Sequence, residues 1–254
     1  MMQQHWIDEA VEQVFRRGQA IVRVGGELHD WMAIRQGAVS LHIRVAAGTE
    51  VGVAVLWGGD VIGWGSPLGQ ERALYDVTAL IDVVAVKVPA STVRAARDAG
   101  RSGDGGPGDD IGRLHSATAL RMQEQLALRL AGGGFQRLVN VLATFAAAFA
   151  TTQSGARGPH IALPVSQAFM GQLAGLSRRQ TWIYLGQLAD AGWVRTERSQ
   201  VMLEVPAAWL QLPAYVEREG LECIATAGEC SATLGLLCLA AASGRPGAGV
   251  VSTR

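Results

Sequence analysis

The sequence predicts an α+β chain: a jelly-roll-like β-roll, then a long helix, then a helix–turn–helix closed by a β-hairpin. Three observations predict it. Short β-branched segments punctuated by glycines fill the first ninety residues. A helical stretch rich in Ala, Leu, Gln and Arg follows a Gly/Asp-rich linker. Two short helical segments then meet at Gly175-Leu176 and lead into a strand–turn–strand pattern. With 49% hydrophobic and 17% charged residues over 254 positions, there is ample core material for one large or two modest domains.

Taken in order, a short helix is expected over about residues 5–16. Val39-Ser-Leu-His-Ile-Arg-Val45 alternates strictly, with Val39, Leu41, Ile43 and Val45 on one face and Ser40, His42 and Arg44 on the other. That period of two marks a half-buried strand. Residues 51–55, 75–79 and 83–88 continue the β pattern, separated by Gly58-Gly59, Gly63 and other glycines. Ser91 is a candidate N-cap for a helix over 91–99. Residues 100–110 read as a flexible linker whose Asp109 and Asp110 suit the start of the next helix, over 111–130. In that helix Ala119, Met122 and Leu126, and the pair Ile111 and Leu114, fall at helical spacing and form a candidate helix–helix seam, which Arg121 and Arg129 interrupt. Gly132-Gly-Gly134 ends it, a helix follows over 135–150, and 151–159 reads as a loop. Helices over 164–174 and 177–191 precede a hairpin whose turn lies within 195–200. From Pro213 onward, the apolar block 234–242 has no evident partner, and 244–254 is expected to be disordered.

Composition excludes several classes. Lys+Arg and Asp+Glu each number 22, so any nucleic-acid site has to be a local patch. Cys223, Cys230 and Cys238 lack a close C-x-x-C pair, which favours free thiols in a reducing compartment and no metal site. The N-terminus carries His5, Trp6 and Asp8 where a signal peptide needs a basic start and an apolar core. No apolar run reaches the roughly 18 residues of a membrane span. A cytoplasmic protein without a membrane partner is expected. Enzyme motifs are also absent: Gly63-Trp-Gly-Ser66 lacks the G-x-S-x-G spacing, and no Walker Lys-Ser/Thr follows Gly132-Gly-Gly134.

The helix–turn–helix carries the chemistry. Ser177 caps the second helix, whose first residues are Arg178, Arg179, Gln180, Thr181 and Trp182. In a DNA major groove, Arg pairs bidentately with guanine, Gln pairs with adenine, and Ser or Thr can bind bases or phosphates. Two arginines at a helix start oppose the helix dipole, a penalty that a negatively charged partner removes. The alternative is an α-hairpin with a solvated polar face. Leu173, Leu176, Ile183, Leu185 and Leu188 are the apolar residues expected to hold the two helices together.

Around these residues the chain resembles the Crp/Fnr family of bacterial transcription regulators. The resemblance rests on LAGLSRRQTWIYLGQLADAGWV (Leu173 to Val194), on Gly58-Gly-Asp-Val-Ile-Gly63, and on Gly37-Ala-Val39, Gly48-Thr-Glu50 and Val77-Thr-Ala-Leu80. It covers about residues 14–210. It implies a β-roll sensor domain over 1–99, a linker and dimerisation helix over 100–131, a winged helix–turn–helix over 132–212, and an extension over 213–254. The implied partners are a second copy, double-stranded DNA with a pseudo-palindromic operator, and RNA polymerase. Two other readings stay open: a regulator with an empty sensor pocket, and a β-roll regulatory subunit that binds a protein.

The resemblance also bears on the effector. Cyclic-nucleotide-binding members use a Gly-Glu…Arg-Ser/Thr-Ala loop, whose Glu takes the ribose hydroxyl and whose Arg and hydroxyl residue take the cyclic phosphate. Gly63 and Arg72 match this pattern, whereas Trp64 stands in place of the Glu and Ala73 in place of the hydroxyl residue. Two missing polar contacts, each about 1–3 kcal/mol when buried, argue against tight cAMP binding. No cysteine precedes Cys223, so an N-terminal iron–sulfur cluster is not expected. Haem would need His5, His29, His42 or His115, and a surface or packing role is favoured for each. Trp57 and Trp64 could stack on an aromatic effector beside Arg72, although packing within the roll is favoured. The effector class therefore stays open between a small molecule and a nucleotide.

Overall fold

The computed structural model describes residues 10–45, 50–63, 65, 69, 72–99, 107–150, 160–197 and 200–243. The chain divides into two compact units, Met1–Leu126 and Ala127–Arg254.

In the first unit, the described strands are β1 (Val11–Phe15), β2 (Ala20–Val22), β3 (Asp30–Gln36), β4 (Ala38–Arg44), β5 (Glu50–Trp57), β6 (Val61–Ile62), β7 (Asp76–Ala79) and β8 (Val83–Pro89). They form two antiparallel four-stranded sheets, ordered β1-β8-β3-β6 and β2-β7-β4-β5. The orders are non-sequential, as in a jelly roll. Phe15, Ile34, Leu41, Leu56, Ile62 and Val83 are among the side chains that fill the core between them.

The helix expected over 5–16 is not formed: Val11–Phe15 is strand β1, paired from Val11↔Lys87 to Phe15↔Val83. Its Val11, Val14 and Phe15 favour a pleated surface, and β8 supplies the hydrogen-bonding edge, so tertiary pairing decides. The alternation expected for β4 is not followed in burial: at its far end His42 and Ile43 are both half-buried, and Arg44 and Val45 are both exposed. Over Ala38–Leu41 both faces are buried, Ser40 included, and the β4–β5 register shifts between Leu41 and His42.

Helix α1 (Ala90–Ala99) starts one residue before Ser91, which therefore lies inside the first turn. Helix α2 spans Pro107–Leu130, so the expected linker gives way to helix at Pro107, a residue suited to a first helical position. The expected seam of α2 divides. Ile111 is buried among Trp31, Val88 and Val93, with Leu114 packed against them. Met122 lies partly buried against the core of the roll, whereas Ala119 and Leu126 face outward. Between these inward positions runs a polar ladder. The Thr118 hydroxyl accepts from the Val61 amide at 3.0 Å, Arg121 Nη1 pairs with Asp60 at 2.9 Å, and Gln125 bonds both the amide and the carbonyl of Val55 at 2.9 and 2.8 Å.

The second unit is built around α3 (Gly134–Ala150), a helix buried on most sides. It continues with β9 (His160–Leu163), α4 (Gln167–Ala174), α5 (Arg178–Asp190), β10 (Val194–Glu197), β11 (Gln200–Glu204), α6 (Pro206–Glu219), a 3₁₀ turn (Leu221–Ile224) and α7 (Ala227–Ala242). The sheet order is β10-β11-β9. Strand β9 has no counterpart in the sequence reading: four residues ahead of Pro164 are too short to show a period, and Ile161 and Leu163 enter the core through pairing with β11. The expected loop 151–159 and disordered end 244–254 lie outside the described residues.

The apolar tail block does have partners. Helix α7 packs on α6, the 3₁₀ turn and α5, burying Cys230, Leu234 and Leu237. Trp193 Nε1 donates to the Ser231 hydroxyl at 2.8 Å, and the Thr233 hydroxyl donates to the Cys223 carbonyl at 2.8 Å. Pro213 sits inside α6, with Trp209, Leu212 and Val216 buried on both sides of it. All three cysteines are free thiols, and burial pushes Cys230 up to about 12.

Candidate functional site

Helix α4 begins at Ser166, whose side chain accepts from the Phe169 amide, and ends at Gly175, whose left-handed conformation (φ 63°, ψ 40°) turns the chain sharply. Two residues later α5 opens on a capping box. The Ser177 hydroxyl accepts from the Gln180 amide at 3.2 Å, and Gln180 Oε1 accepts from the Ser177 amide at 3.0 Å.

The helical phase then sorts α5 into two faces. Thr181, Leu185 and Leu188 point inward, 1%, 3% and 0% exposed, against Leu173 and the rest of the core. Thr181 was expected among the DNA-reading residues. Instead its hydroxyl donates to the Ser177 carbonyl at 3.0 Å, and its side chain lies directly against Gly171 of α4. Ile183, expected in the joint between the helices, lies on the outer face. Both errors have one cause: inward positions 181, 185 and 188 follow a four–three spacing, which places 179, 182, 183 and 186 outside.

That outer face exposes Arg178, Arg179, Gln180, Trp182, Ile183 and Gly186. The first turn of α5 holds no acid. No salt bridge joins Arg178 or Arg179 to a carboxylate among the described residues. By contrast, Arg195 on the β10–β11 hairpin is paired with Glu197 at 2.7 Å and with Glu204 at 3.1 Å. Two arginines thus stand together at the start of α5, where the N-terminal end of the helix dipole adds to their positive charge.

In the first unit, Gly63 is buried with a left-handed φ of 75°. Arg72 is exposed, and its Nη1 donates to the Gly25 carbonyl at 2.8 Å. Ala73 is 2% exposed and packs into the core of the roll, its backbone bonded to Gly25 and Gly26. Its side chain thus faces the core and has no hydroxyl to offer a ligand. Trp64 lies outside the described residues. Trp57 is covered by the Arg121 guanidinium, 4.0 Å from the ring centroid.

The haem candidates are each engaged. His29 pairs with Glu27 at 2.7 Å, and His115 Nε2 accepts from Trp31 Nε1 at 2.7 Å. His42 lies between the Ser40 hydroxyl at 2.9 Å and Glu50 at 3.1 Å, and burial holds its pKa below the usual histidine range. His5 lies outside the described residues. Among the described residues no three His, Cys, Asp or Glu side chains are grouped to hold a metal ion.

A site that sequence reasoning missed is the Asp60–Arg121 pair. The Asp60 carboxylate is fully buried, accepts from the Trp57 amide at 2.8 Å, and is held above the usual carboxylate range by burial, despite Arg121 and Thr118. The spacing of Thr118, Arg121 and Gln125 by three and four residues was its only signal.

A two-sheet β-roll, a long helix and a winged helix–turn–helix make up a fold shared with solved CRP/FNR-family transcription regulators. Residues 12–99 match the cyclic nucleotide-binding domain family. FixK2 from Bradyrhizobium japonicum is 19% identical with a TM-score of 0.63, over 80% of this chain and 96% of that one. A CRP-family transcriptional regulator from Thermus thermophilus is 20% identical with a TM-score of 0.63, over 84% of this chain and all of that one. The c-di-GMP-responsive regulator CLP from Xanthomonas campestris is 16% identical with a TM-score of 0.59, over 77% of this chain and 94% of that one. No curated protein matches the chain. Among the described residues, no helix is long and apolar enough to cross a membrane.

Proposed function

We propose that this chain is a homodimeric, sequence-specific DNA-binding transcription regulator, and that its β-roll answers to an effector other than tightly bound cAMP. The observation that carries the reading is the outer face of α5: two arginines at a capped helix start, with no carboxylate partner among the described residues, beside exposed Gln180 and Trp182. Dimerisation is supported by α2. Leu120, Leu126 and Leu130 are 58%, 53% and 77% exposed, and Val53, Ala119, Met122 and Leu126 help line a groove of about 440 Å³. A second copy's helix is the occupant that fits an apolar face on this long helix. A two-fold dimer reads half-sites about one helical turn apart. The cAMP side of the proposal rests on Arg72, engaged by a carbonyl, and on Ala73, turned into the core.

The test is a salt series of duplex binding by the full chain. Affinity should fall steeply with salt while preference for one palindrome persists. Weak, salt-insensitive binding with no preference would leave a protein-binding module instead.

A further inference from the structure

Helix α5 contains a glycine that nothing inside the protein requires. Gly186 lies in mid-helix, exposed, and a Cβ added there meets no atom within 4 Å. Gly171 and Gly134 in this unit have an internal reason, whereas Gly235 in α7 is, like Gly186, a mid-helix position where an added Cβ meets nothing. At Gly171 a methyl group would collide with Thr181, and at Gly134 with Leu176 and Tyr184. Glycine within a helix is less stable than alanine, and what distinguishes Gly186 is its place on the exposed face that carries Arg178, Arg179, Trp182 and Ile183.

What Gly186 leaves bare is specific. A helical side chain leans back over the turn N-terminal to its own Cα. Any side chain at 186 would therefore cover the turn that carries Trp182 and Ile183. Those two are exposed hydrophobics, Trp182 at 70% and Ile183 at 36%. Arg178 and Arg179 stand one turn earlier on the same side. The strip along α5 is thus two cations, an indole, an aliphatic side chain and a length of uncovered backbone. The cations select a polyanion as the occupant, and the one apolar group that a major groove presents is the thymine C5-methyl.

We propose that Trp182 and Ile183 form an apolar surface that reads thymine methyl groups in the major groove. Gly186 is bare so that the helix can approach closely enough for the indole to reach them. This rests on the DNA-binding reading above. It makes Trp182 and Gly186 specificity determinants, distinct from the arginines that supply charge and hydrogen bonds.

The experiment selects the preferred duplex of the full wild-type chain from a random-sequence library. Binding to that duplex, and to copies with single thymines replaced by deoxyuridine, is then measured for wild type, Trp182→Ala and Gly186→Ala. The expected result is a thymine in each half-site whose replacement weakens wild type about fourfold, the effect of one methyl group, but leaves Trp182→Ala unchanged. Gly186→Ala should melt a few degrees higher without DNA, because alanine favours helix, yet bind the duplex about tenfold more weakly. Equal deoxyuridine sensitivity in wild type and Trp182→Ala, or unaltered binding by Gly186→Ala, would overturn the proposal while leaving DNA binding intact. A wild-type chain that selects no duplex would overturn both.

Discussion

Replacing Gly171 by alanine tests whether α5 is held in place as its buried face implies. The added methyl would come closer than 3.0 Å to the Thr181 hydroxyl, within 3.5 Å of Thr181 Cβ and within 3.4 Å of the Leu176 carbonyl. Thr181 has little freedom to give way. It is 1% exposed, its hydroxyl is bonded to the Ser177 carbonyl at 3.0 Å, and its β-branched side chain has few helical rotamers. Either the hydroxyl leaves its partner, at about 1 kcal/mol, or α4 and α5 move apart and loosen Leu173, Leu185 and Leu188. Overpacking of this kind costs about 1–3 kcal/mol, and the better helix propensity of alanine returns up to about 1 kcal/mol. The net expectation is a loss of about 1–2 kcal/mol, read as a lower urea midpoint by circular dichroism. Thr181→Ala removes the obstructing oxygen, so the double variant should lose less than the sum of the single losses, with a coupling of about 1 kcal/mol. Strictly additive losses, or a Gly171→Ala chain as stable as wild type, would refute this account of the joint.

The remaining predictions concern the two sites and the buried carboxylate. Arg179→Ala should cost about 1–3 kcal/mol of duplex binding and relax preference at one base pair per half-site in a repeated site selection. Equal weakening on every sequence would make Arg179 a phosphate contact. Calorimetric titration with cAMP should give millimolar rather than micromolar affinity, regimes about 4 kcal/mol apart. Micromolar binding abolished by Arg72→Ala would restore an ordinary cAMP pocket. Burial raises the Asp60 pKa, so the folded chain holds that proton more tightly than the unfolded one. Its contribution to stability is therefore greatest in acid and declines as pH rises through the folded pKa. The melting-temperature difference between wild type and Asp60→Asn should shift toward the asparagine variant as pH rises above the ordinary carboxylate range, and an opposite slope would contradict the burial argument.

How much of this was legible in the sequence depended on whether the local pattern and the tertiary demand agreed. They agreed at Ser177, where a polar cap, a Gln three residues later and the preceding Gly175 all specify the same turn. They disagreed at residues 11–15, where only pairing with β8 reveals a strand. At Pro213 they disagreed again, because the surrounding Trp209, Leu212 and Val216 keep the helix intact around a residue that usually ends one. In α5, residue types gave the helical segment correctly but not its phase. Thr181 has the chemistry of a base reader, yet one step of about 100° separates it from the outward Trp182. Gly186 was invisible for a related reason: a mid-helix glycine acquires meaning only once the space around it is known to be empty.

The long helix α2 shows why its sequence gave only a broken seam. Strands β5 and β6 each lie at the edge of a sheet, and an edge presents backbone groups that need partners. Thr118 satisfies the Val61 amide, and Gln125 satisfies both polar groups of Val55, while Arg121 neutralises Asp60 beside them. The face of α2 turned toward the roll must therefore carry polar residues at spacings of three and four, which are the positions a coiled-coil reading would reserve for apolar ones. Leucines excluded from that face, Leu120, Leu126 and Leu130, are left outward. Along this stretch the covered face thus mixes polar Thr118, Arg121 and Gln125 with apolar Met122, while three leucines lie bare, a departure from the usual surface helix. The same polar ladder that fastens α2 to the β-roll thus leaves outward the leucines on which the proposed second copy would pack.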